Sequence, residues 1–313
     1  MAHMPSLTTP DGTPISSHCF GTMQFGGKAD AGQSRAMYDA CRTAGINFFD
    51  TAYGYTNGAS ETMLGQFVKP ERGKVFVATK CAHPDNSKAD TITRQFEESL
   101  QRLDMDIVDL MYLHRWDDDT PLEETFGALA RMVESGRVRH IGVSNFSAWQ
   151  VMKAARVAHD FSLQVSVLQP MYNLVKRQVE VEILPMALSE GFAVVPYSPL
   201  GGGLLSGKYA DGSSGRITDD PMYKLRYGQN WMHTAATSLV DFAAELGVSP
   251  ITLAVAWVAK NPAITAPIIS ASSAAQLQPS LDALTFDMDD ALYARITALT
   301  PTPAPATDRS EEA

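Results

Sequence analysis

The sequence predicts a single α/β domain, a (β/α)8 TIM barrel with an N-terminal β-hairpin and an extra C-terminal helix. The main observation is that short apolar segments, typical of buried strands, alternate with longer amphipathic segments, typical of helices. Buried strands separated by helices imply an all-parallel sheet. Eight such units account for the chain, and 313 residues is an ordinary length for one α/β barrel.

The predicted elements follow in chain order. Asp11 and Gly12 form a turn signal between two short segments, which predicts the hairpin at residues 7–15. The predicted strands are residues 18–20, 47–50, 75–79, 107–113, 138–143, 164–169, 192–196 and 264–269. The predicted barrel helices are residues 31–44, 60–68, 89–103, 120–135, 147–159, 179–190, 234–246, 250–260 and 273–284, and the extra helix is residues 287–299.

Local signals support two of the helix starts and set the domain limits. Ser60 is the expected N-cap of its helix, and Pro121 stands at a first helical position. The glycine-rich stretch after the seventh strand is predicted to be a long loop. We expect residues 6–300 to form the barrel, residues 1–5 to be a disordered remnant ahead of the native start, and the proline-rich residues 301–313 to be a disordered tail.

Composition and charge argue against several classes of protein. A net charge of −10 and a pI near 5.1 disfavour nucleic acid and anionic membranes as partners, because both require a basic surface. No apolar run approaches the roughly 18 residues of a membrane-spanning helix. Three cysteines without CxxC spacing indicate neither a disulfide framework nor a metal site, and the N-terminus lacks the pattern of a signal peptide. We therefore predict a cytoplasmic protein without a bound metal.

Three consecutive predicted strands end at ionisable residues. Residues 47–60 carry Asp50 and, five positions later, Tyr55; the next strand ends in Lys80 and the one after it in His114. The C-terminal ends of the strands form the active-site face of such barrels, so these side chains are expected to meet there. Each residue alone also fits a scaffold role, since structural ion pairs and capped histidines occur at strand ends. Together they indicate a shared site.

Five motifs, in their order and spacing, resemble those of the aldo-keto reductases. They are DTAxxY at residues 50–55, ATK at 78–80, YLH at 112–114, GVSN at 142–145 and YSPLGGGLLSGKY at 197–209. The sequence is most similar to the bacterial branch that also resembles the potassium-channel β subunits, and the resemblance covers nearly the whole chain. It implies an oxidoreductase that uses NAD(P)H to reduce an aldehyde or ketone, a small carbonyl substrate, to the alcohol.

The resemblance also implies a role for each of the four ionisable residues. Tyr55 would donate a proton to the carbonyl oxygen as hydride reaches the carbon. Lys80 would lower the pKa of that phenol, and Asp50 would fix the lysine. His114 would hold and polarise the carbonyl oxygen. Tyr53 is a second phenol in the same loop, but the family spacing of five residues from the aspartate selects Tyr55.

Cofactor contacts are carried over from the family position by position. Ser144, Asn145 and Gln169 resemble the residues that hold the nicotinamide carboxamide, and Tyr197 resembles the aromatic that stacks on the ring, with a core role as its alternative. The remaining positions are Gly21, Thr22 and Met23 after the first strand, Asp50 itself, the phosphate-binding loop of Ser198, Pro199, Leu200, Gly201 and Gly203 with Lys208, and the 2′-phosphate region of Ser270, Ser272, Gln276 and Ser280.

The 2′-phosphate region departs from the family pattern. Many members carry a lysine or arginine there, whereas residues 268–281 contain no cation, and their polar side chains are all hydroxyls or amides. A helix N-terminus and serine hydroxyls can still bind phosphate, so we expect NADP(H) rather than NAD(H), with a modest preference. His83, Met23, Phe25, Cys81 and Trp116 are expected to line the substrate pocket.

Two other functions are compatible with the pattern. A cofactor-binding sensor or assembly subunit, with slow and incidental turnover, would share the same motifs. A metal-dependent barrel hydrolase using Asp50 and His114 fits less well, because Lys80 and Tyr55 are poor metal ligands.

Overall fold

The computed structural model describes residues 5–209, 212–309 and 311. Most of the predicted N-terminal remnant, residues 1–4, lies outside the described residues, and so do residues 310, 312 and 313 of the predicted tail. Residues 301–309 form no helix or strand. The disorder of both ends remains a prediction.

Within the described residues, eight parallel strands form one sheet. They are β1 (Cys19–Gly21), β2 (Phe48–Asp50), β3 (Phe76–Cys81), β4 (Val108–Leu113), β5 (Val138–Ser144), β6 (Val165–Gln169), β7 (Ala193–Val194) and β8 (Ile268–Ile269). Neighbours pair in chain order from β1 to β7, and β8 pairs with β1. The barrel closes where the Thr265 N–H donates to the Val194 carbonyl and the Ile268 N–H to the Pro196 carbonyl, both at 2.8 Å.

Helices follow the strands and cover the outside of the sheet. They are α1 (Ala31–Thr43), α2 (Ala59–Val68), α3 (Ala89–Leu103), α4 (Leu122–Glu134), α5 (Ala148–Asp160), α6 (Ile183–Glu190), α7 (Arg216–Asp219), α8 (Pro221–Tyr227), α9 (Asn230–Glu245), α10 (Pro250–Lys260), α11 (Ala274–Asp282) and α12 (Asp290–Thr297). In the described part of the chain, no single helix is long and apolar enough to span a membrane, and only α9 and α10, bent by 103°, reach that length together.

The side chains of each strand alternate between two cores. Phe48 and Phe76 belong to the cluster inside the barrel, whereas their neighbours Phe49 and Val77 join the larger cluster between sheet and helices. Leu7 adds to the interior cluster from the N-terminal segment. The barrel is therefore filled by side chains, as expected for eight strands.

The segment predicted as a hairpin contains one antiparallel bridge, between Thr8 and Pro14. The Ile15 N–H donates to the Leu7 carbonyl at 3.1 Å. Arg139, on β5, donates to the Thr8 carbonyl at 2.6 Å. The first two contacts lie within the segment, and the contact of Arg139 attaches it to the barrel.

Four local predictions were wrong. Pro121 does not occupy the first helical position of α4 but precedes the helix as its N-cap residue, with ψ 132°. Ser60 does not cap α2: the helix begins at Ala59 after the left-handed Gly58 (φ 90°), and the buried Ser60 hydroxyl donates instead to the Thr22 carbonyl at 2.9 Å. The helix predicted from residue 179 begins at Ile183, after a 3₁₀ turn. The predicted long loop instead contains α7 and α8. The prediction relied on the glycines and overlooked the start signal of α8, an Asp220 N-cap followed by a proline.

Gly65 allows α2 to approach the end of α3 closely. A Cβ atom on Gly65 would lie 2.1 Å from the carbonyl oxygen of Leu103, and backbone cannot move aside as a side-chain tip can. We expect Gly65→Ala to lower the free energy of unfolding by about 1–3 kcal/mol through overpacking. Gly73→Ala is the control, because its new Cβ would meet no atom within 4 Å. Urea denaturation measures both variants, and equal stabilities would contradict the close contact.

Candidate active site

The four predicted ionisable residues lie together at the C-terminal end of the barrel. Side chains two positions apart on a strand share a face. Asp50 therefore continues the interior face that includes Phe48, and Lys80 the one that includes Ala78. In the sheet register Asp50 lies beside Ala78, and Lys80 lies beside Tyr112, two residues before His114.

Lys80 is the centre of the cluster, and its side chain is 0% exposed. Its ammonium forms an ion pair with Asp50 and donates to the Thr51 carbonyl at 2.8 Å and to the Tyr55 phenol oxygen at 3.3 Å. An ammonium has three N–H groups, so each one has an acceptor. The second carboxylate oxygen of Asp50 accepts a hydrogen bond from the Gln169 amide at 2.9 Å.

Burial and charge act in opposite directions on these three groups. Burial lowers the pKa of Lys80, but attraction to Asp50 and Tyr55 outweighs it and raises the pKa above the ordinary lysine value. Burial raises the pKa of Asp50, and Lys80 offsets part of that change. Burial also raises the pKa of Tyr55 above 10.0, with Lys80 opposing it. The expected lowering of the phenol pKa is thus outweighed by desolvation, and Tyr55 is protonated at neutral pH.

His114 is a neutral imidazole at the cavity wall. Burial, followed by the positive charges of Lys80, His83 and Arg115, lowers its pKa to about 2. Its ring centre lies 5.9 Å from that of Tyr55 and 5.1 Å from that of His83. Among the described residues, the buried Nδ1 atoms of His114 and His83 have no hydrogen-bond partner.

The two candidate phenols have different surroundings. The Tyr53 hydroxyl donates to Glu98 at 2.8 Å and accepts from Arg94 at 3.1 Å, both on α3. Tyr55 instead lines the cavity and contacts Lys80. The geometry therefore agrees with the choice of Tyr55 over Tyr53 as the phenol of the site.

A cavity of about 930 Å³ opens above this cluster, lined by Tyr55 and His114. Most of the predicted cofactor residues also line it: Gly21, Met23, Asp50, Ser144, Asn145, Gln169, Tyr197, Ser198, Pro199, Leu200, Gly203, Lys208, Ser270, Ser272, Gln276 and Ser280. Lys80 lies beneath the cavity floor and reaches it only through its partners.

Two predicted cofactor residues do not reach the cavity. Thr22 is fully buried, and its hydroxyl donates to the Asp50 carbonyl at 3.1 Å, so it supports the β2 loop instead. Gly201 is buried, and a Cβ there would meet Tyr227 at 3.4 Å and Val175 at 3.6 Å. Both positions serve the packing beneath the site.

The side chains expected to hold a nicotinamide are already connected to one another. Asn145, with φ 60°, donates to the His114 carbonyl at 2.9 Å and accepts from the Tyr197 hydroxyl at 2.6 Å. The Ser144 hydroxyl donates to the Gln169 carbonyl at 2.9 Å. This network fixes the ring of Tyr197, which lines the cavity.

Asn173 is a supporting residue that the sequence prediction missed. It is fully buried and donates to the Ser198 carbonyl at 2.9 Å and to the Tyr227 hydroxyl at 3.3 Å. Ser198 has a left-handed backbone (φ 61°), which a non-glycine residue adopts only with support. The sequence feature that could have identified Asn173 is its position four residues after Gln169, just beyond β6.

Five cations line the cavity of this acidic protein: Lys28, Arg115, Lys208, Arg216 and Arg226. Within the residues that the structure describes, none of the five takes part in an ion pair. Arg226 and the neighbouring Met222 and Tyr223 belong to α8, whose contribution the sequence prediction missed because it placed a loop there. The cavity can therefore attract anionic groups.

The wall formed by Ser270, Ser272 and Gln276 has no cation. The Ser272 hydroxyl donates to the Gln276 amide oxygen at 2.7 Å, and the hydroxyl of Ser273 caps α11 by accepting from the Gln276 N–H at 3.3 Å. The nearest charged cavity residues therefore belong to other segments.

Three expected pocket residues lie elsewhere. Phe25 and Cys81 are buried in the core outside the barrel, and Trp116 packs against Phe146 and Trp149. Burial raises the pKa of the Cys81 thiol to about 12. Among the described side chains there is no group of three or more His, Cys, Asp or Glu that could hold a metal ion.

A closed α/β barrel with a cavity and buried ionisable groups at its strand ends is the arrangement of a barrel enzyme. Residues 19–301 match the aldo/keto reductase family. The chain therefore belongs to the aldo/keto reductase family, and the protein is an oxidoreductase.

Individual relatives agree with this assignment. A probable voltage-gated potassium channel subunit beta from Oryza sativa subsp. japonica is 36% identical over 296 residues, which cover 87% of this chain and 88% of that protein. The uncharacterized oxidoreductase YrpG of Bacillus subtilis (strain 168) is 33% identical over 314 residues, covering 93% and 94%. The structure of a glycerol dehydrogenase from Gluconobacter oxydans superposes with a TM-score of 0.81 at 27% identity and covers 97% of this chain and 99% of that one.

We expect Lys80→Met to destabilise the protein strongly. The substitution leaves the Asp50 carboxylate buried without its cation, and breaking a buried pair in this way costs about 3–5 kcal/mol. Lys69→Met is the matched control, because the Lys69–Asp104 pair has side chains 69% and 65% exposed. Thermal unfolding at neutral pH should show a large drop for the first variant and little change for the second. A melting temperature of Lys80→Met equal to wild type would disprove the buried pair.

Proposed function

We propose that the protein reduces an aldehyde or ketone to the alcohol, with a nicotinamide cofactor and with Tyr55 as the proton donor. The observation that carries the proposal is the Tyr55 phenol, which lines the cavity while its oxygen accepts a hydrogen bond from the buried Lys80 ammonium at 3.3 Å. Carbonyl reduction places negative charge on the carbonyl oxygen, so a proton donor is required beside it. When bound, the reduced nicotinamide supplies the hydride that reaches the carbonyl carbon.

The surroundings of Tyr55 suit proton donation. Its raised pKa keeps the proton on the phenol at neutral pH, ready for the carbonyl oxygen. Once the proton has left, the phenolate lies beside the Lys80 ammonium, which stabilises it. Asp50 keeps that ammonium charged and oriented, because the two form a buried ion pair. Each of the three residues thus has a separate role in one transfer.

His114 fits a role in holding the substrate oxygen. Because its pKa is lowered to about 2, the ring is neutral across the physiological range and carries one N–H. A neutral imidazole donates a hydrogen bond without competing with Tyr55 as the acid. It would orient the carbonyl toward the phenol, whose ring centre is 5.9 Å away.

The cavity residues fit a nicotinamide dinucleotide. Asn145 and Gln169 each retain acceptor capacity on their amide oxygens for the carboxamide, and Tyr197 is fixed at the wall for stacking. Lys208 and Arg216 line the cavity and supply positive charge for phosphates. This charge supports NADP(H) as the cofactor. The protein's three cysteines are all free and buried, which is compatible with the proposed cytoplasmic location.

A second candidate function is a cofactor-binding sensor or assembly subunit. It is favoured by the similarity to the Oryza protein named as a probable potassium channel subunit beta. In that case the cofactor would bind but turnover would be slow. Steady-state reduction of simple aldehydes separates the two functions, because only the enzyme turns over many equivalents of cofactor.

We expect Tyr55→Phe to abolish nearly all carbonyl reduction while cofactor affinity stays within a few-fold of wild type. The change removes the proton donor, and loss of a positioned acid commonly costs about 10²–10⁴-fold. Tyr53→Phe is the matched control, since it removes a hydroxyl that contacts Glu98 and Arg94 on α3 and keeps the ring and backbone carbonyl of Tyr53 in place. Turnover is followed by cofactor absorbance, and affinity by quenching of protein fluorescence. Near wild-type turnover by Tyr55→Phe would refute its role as the donor.

We expect the wild-type protein to prefer NADPH to NADH only modestly, because its 2′-phosphate wall offers hydroxyls and an amide. Ser272→Arg should raise the NADPH-to-NADH ratio of kcat/KM, most clearly at low salt, since a charged contact to phosphate is about twice as strong as a neutral one. Ser272→Gln controls for side-chain size without charge. A wild-type ratio already in the thousands, or no rise with arginine, would instead assign the 2′-phosphate to Lys208 or Arg216.

A further inference from the structure

Arg102, in the last turn of α3, contacts the loop of Tyr55 on both sides of that residue. Its Nη1 donates to the Tyr53 carbonyl at 2.9 Å, and its guanidinium lies 4.5 Å from the centre of the Tyr53 ring. A Cβ atom on Gly58 would lie only 2.7 Å from the Arg102 Nε. Arg102 therefore packs against the loop two residues before Tyr55 and three residues after it.

The loop requires such support because its backbone is unusual. Thr56, Asn57 and Gly58 are three successive left-handed residues, with φ values of 47°, 53° and 90°. Residues other than glycine disfavour this conformation, and it persists only where neighbouring groups hold it. The Thr56 hydroxyl donates to the Phe25 carbonyl at 2.8 Å and anchors one side of the loop. Arg102 anchors the other.

Arg102 is itself fixed by a buried carboxylate. Glu61 is fully buried; one of its oxygens accepts from Arg102 at 3.2 Å and the other from the Thr79 hydroxyl at 2.6 Å. Thr79 immediately precedes Lys80 on β3. A continuous set of contacts thus connects the loop that carries Tyr55 with the strand that carries Lys80.

We propose that Arg102 is a positioning residue that sets the placement of the Tyr55 phenol over the Lys80 ammonium. The inference rests on the proposed role of Tyr55 as proton donor. Arg102 does not line the cavity, so it acts only through the loop. Its loss impairs proton donation and leaves cofactor binding in place, because the expected cofactor residues other than Asp50 belong to other loops.

The test compares Arg102→Lys with Arg137→Lys. Arg102→Lys keeps a cation for Glu61 but loses the planar group that donates to Tyr53 and stacks on its ring. Arg137 is the matched control, because it also contacts α3: it pairs with Glu97, and its guanidinium lies 5.0 Å from the centre of the Phe96 ring. Its side chain is 37% exposed, and that of Arg102 is 26% exposed. It has no contact with the loop.

Three measurements are made on each full-length variant: kcat for aldehyde reduction, the Kd for NADPH by fluorescence, and hydrogen exchange of peptides covering residues 51–60. For Arg102→Lys we expect kcat to fall by about tenfold to a hundredfold, since small misplacements of a reacting group have effects of this size. We expect the Kd to stay within about threefold and exchange in residues 53–58 to accelerate. A purely structural role would lower melting temperature without this local change.

A kcat for Arg102→Lys within twofold of the Arg137→Lys value, or unchanged exchange of the loop, overturns the proposal. If Arg102→Lys does not fold, the double variant Glu61→Gln with Arg102→Gln removes the buried charge and is measured in the same way. The proposed function fails separately, if the wild type reduces no carbonyl or Tyr55→Phe is fully active. Hydrogen exchange then still reports on the loop, because it requires neither substrate nor cofactor.

Discussion

The buried ammonium of Lys80 is the interaction on which the rest of the site depends. A charge removed from water requires compensation for every lost hydrogen bond, and here Asp50, Thr51 and Tyr55 provide it. All three acceptors belong to one short stretch that begins at the end of β2. These contacts hold that stretch over the lysine and keep the phenol at the cavity. One interaction serves both the stability of the barrel and the geometry of the site.

The sequence was sufficient to predict the barrel from the alternation of strand and helix segments, and to place Asp50, Lys80 and His114 at strand ends. The choice of Tyr55 came from the motif resemblance. Asp50 and Lys80 lie two positions from interior residues of their strands, so their side chains also face the barrel interior. Both residues are at the C-terminal ends of parallel strands, so they lie at the same end of the barrel. The motifs added the expected cofactor positions, which line the cavity apart from Thr22 and Gly201. These two residues are buried by close packing under the loops, and such packing cannot be read from a single sequence.

Other features depend on the depth of burial and on tertiary contacts, which a sequence does not show. The ammonium beside Tyr55 was expected to lower the phenol pKa, but the depth of burial, known only from the fold, reverses the direction. Asn173 could not be ranked above other asparagines without the Ser198 turn that it supports. The glycines before α8 indicated a loop. A helix of seven residues depends on tertiary packing for its stability, and the local sequence does not show that packing.

Helix α8 contributes to the cavity wall of this enzyme but does not belong to the barrel that holds the buried ion pair. The helix lies between β7 and β8, outside the repeating strand–helix units, yet Met222, Tyr223 and Arg226 all reach the cavity. Substitutions of these three residues alter the shape and charge of the wall without removing a partner of Lys80, whereas Tyr227 at the end of the helix is part of the core. The wall of the cavity can therefore vary at these three positions while the buried charge cluster beneath it keeps its geometry.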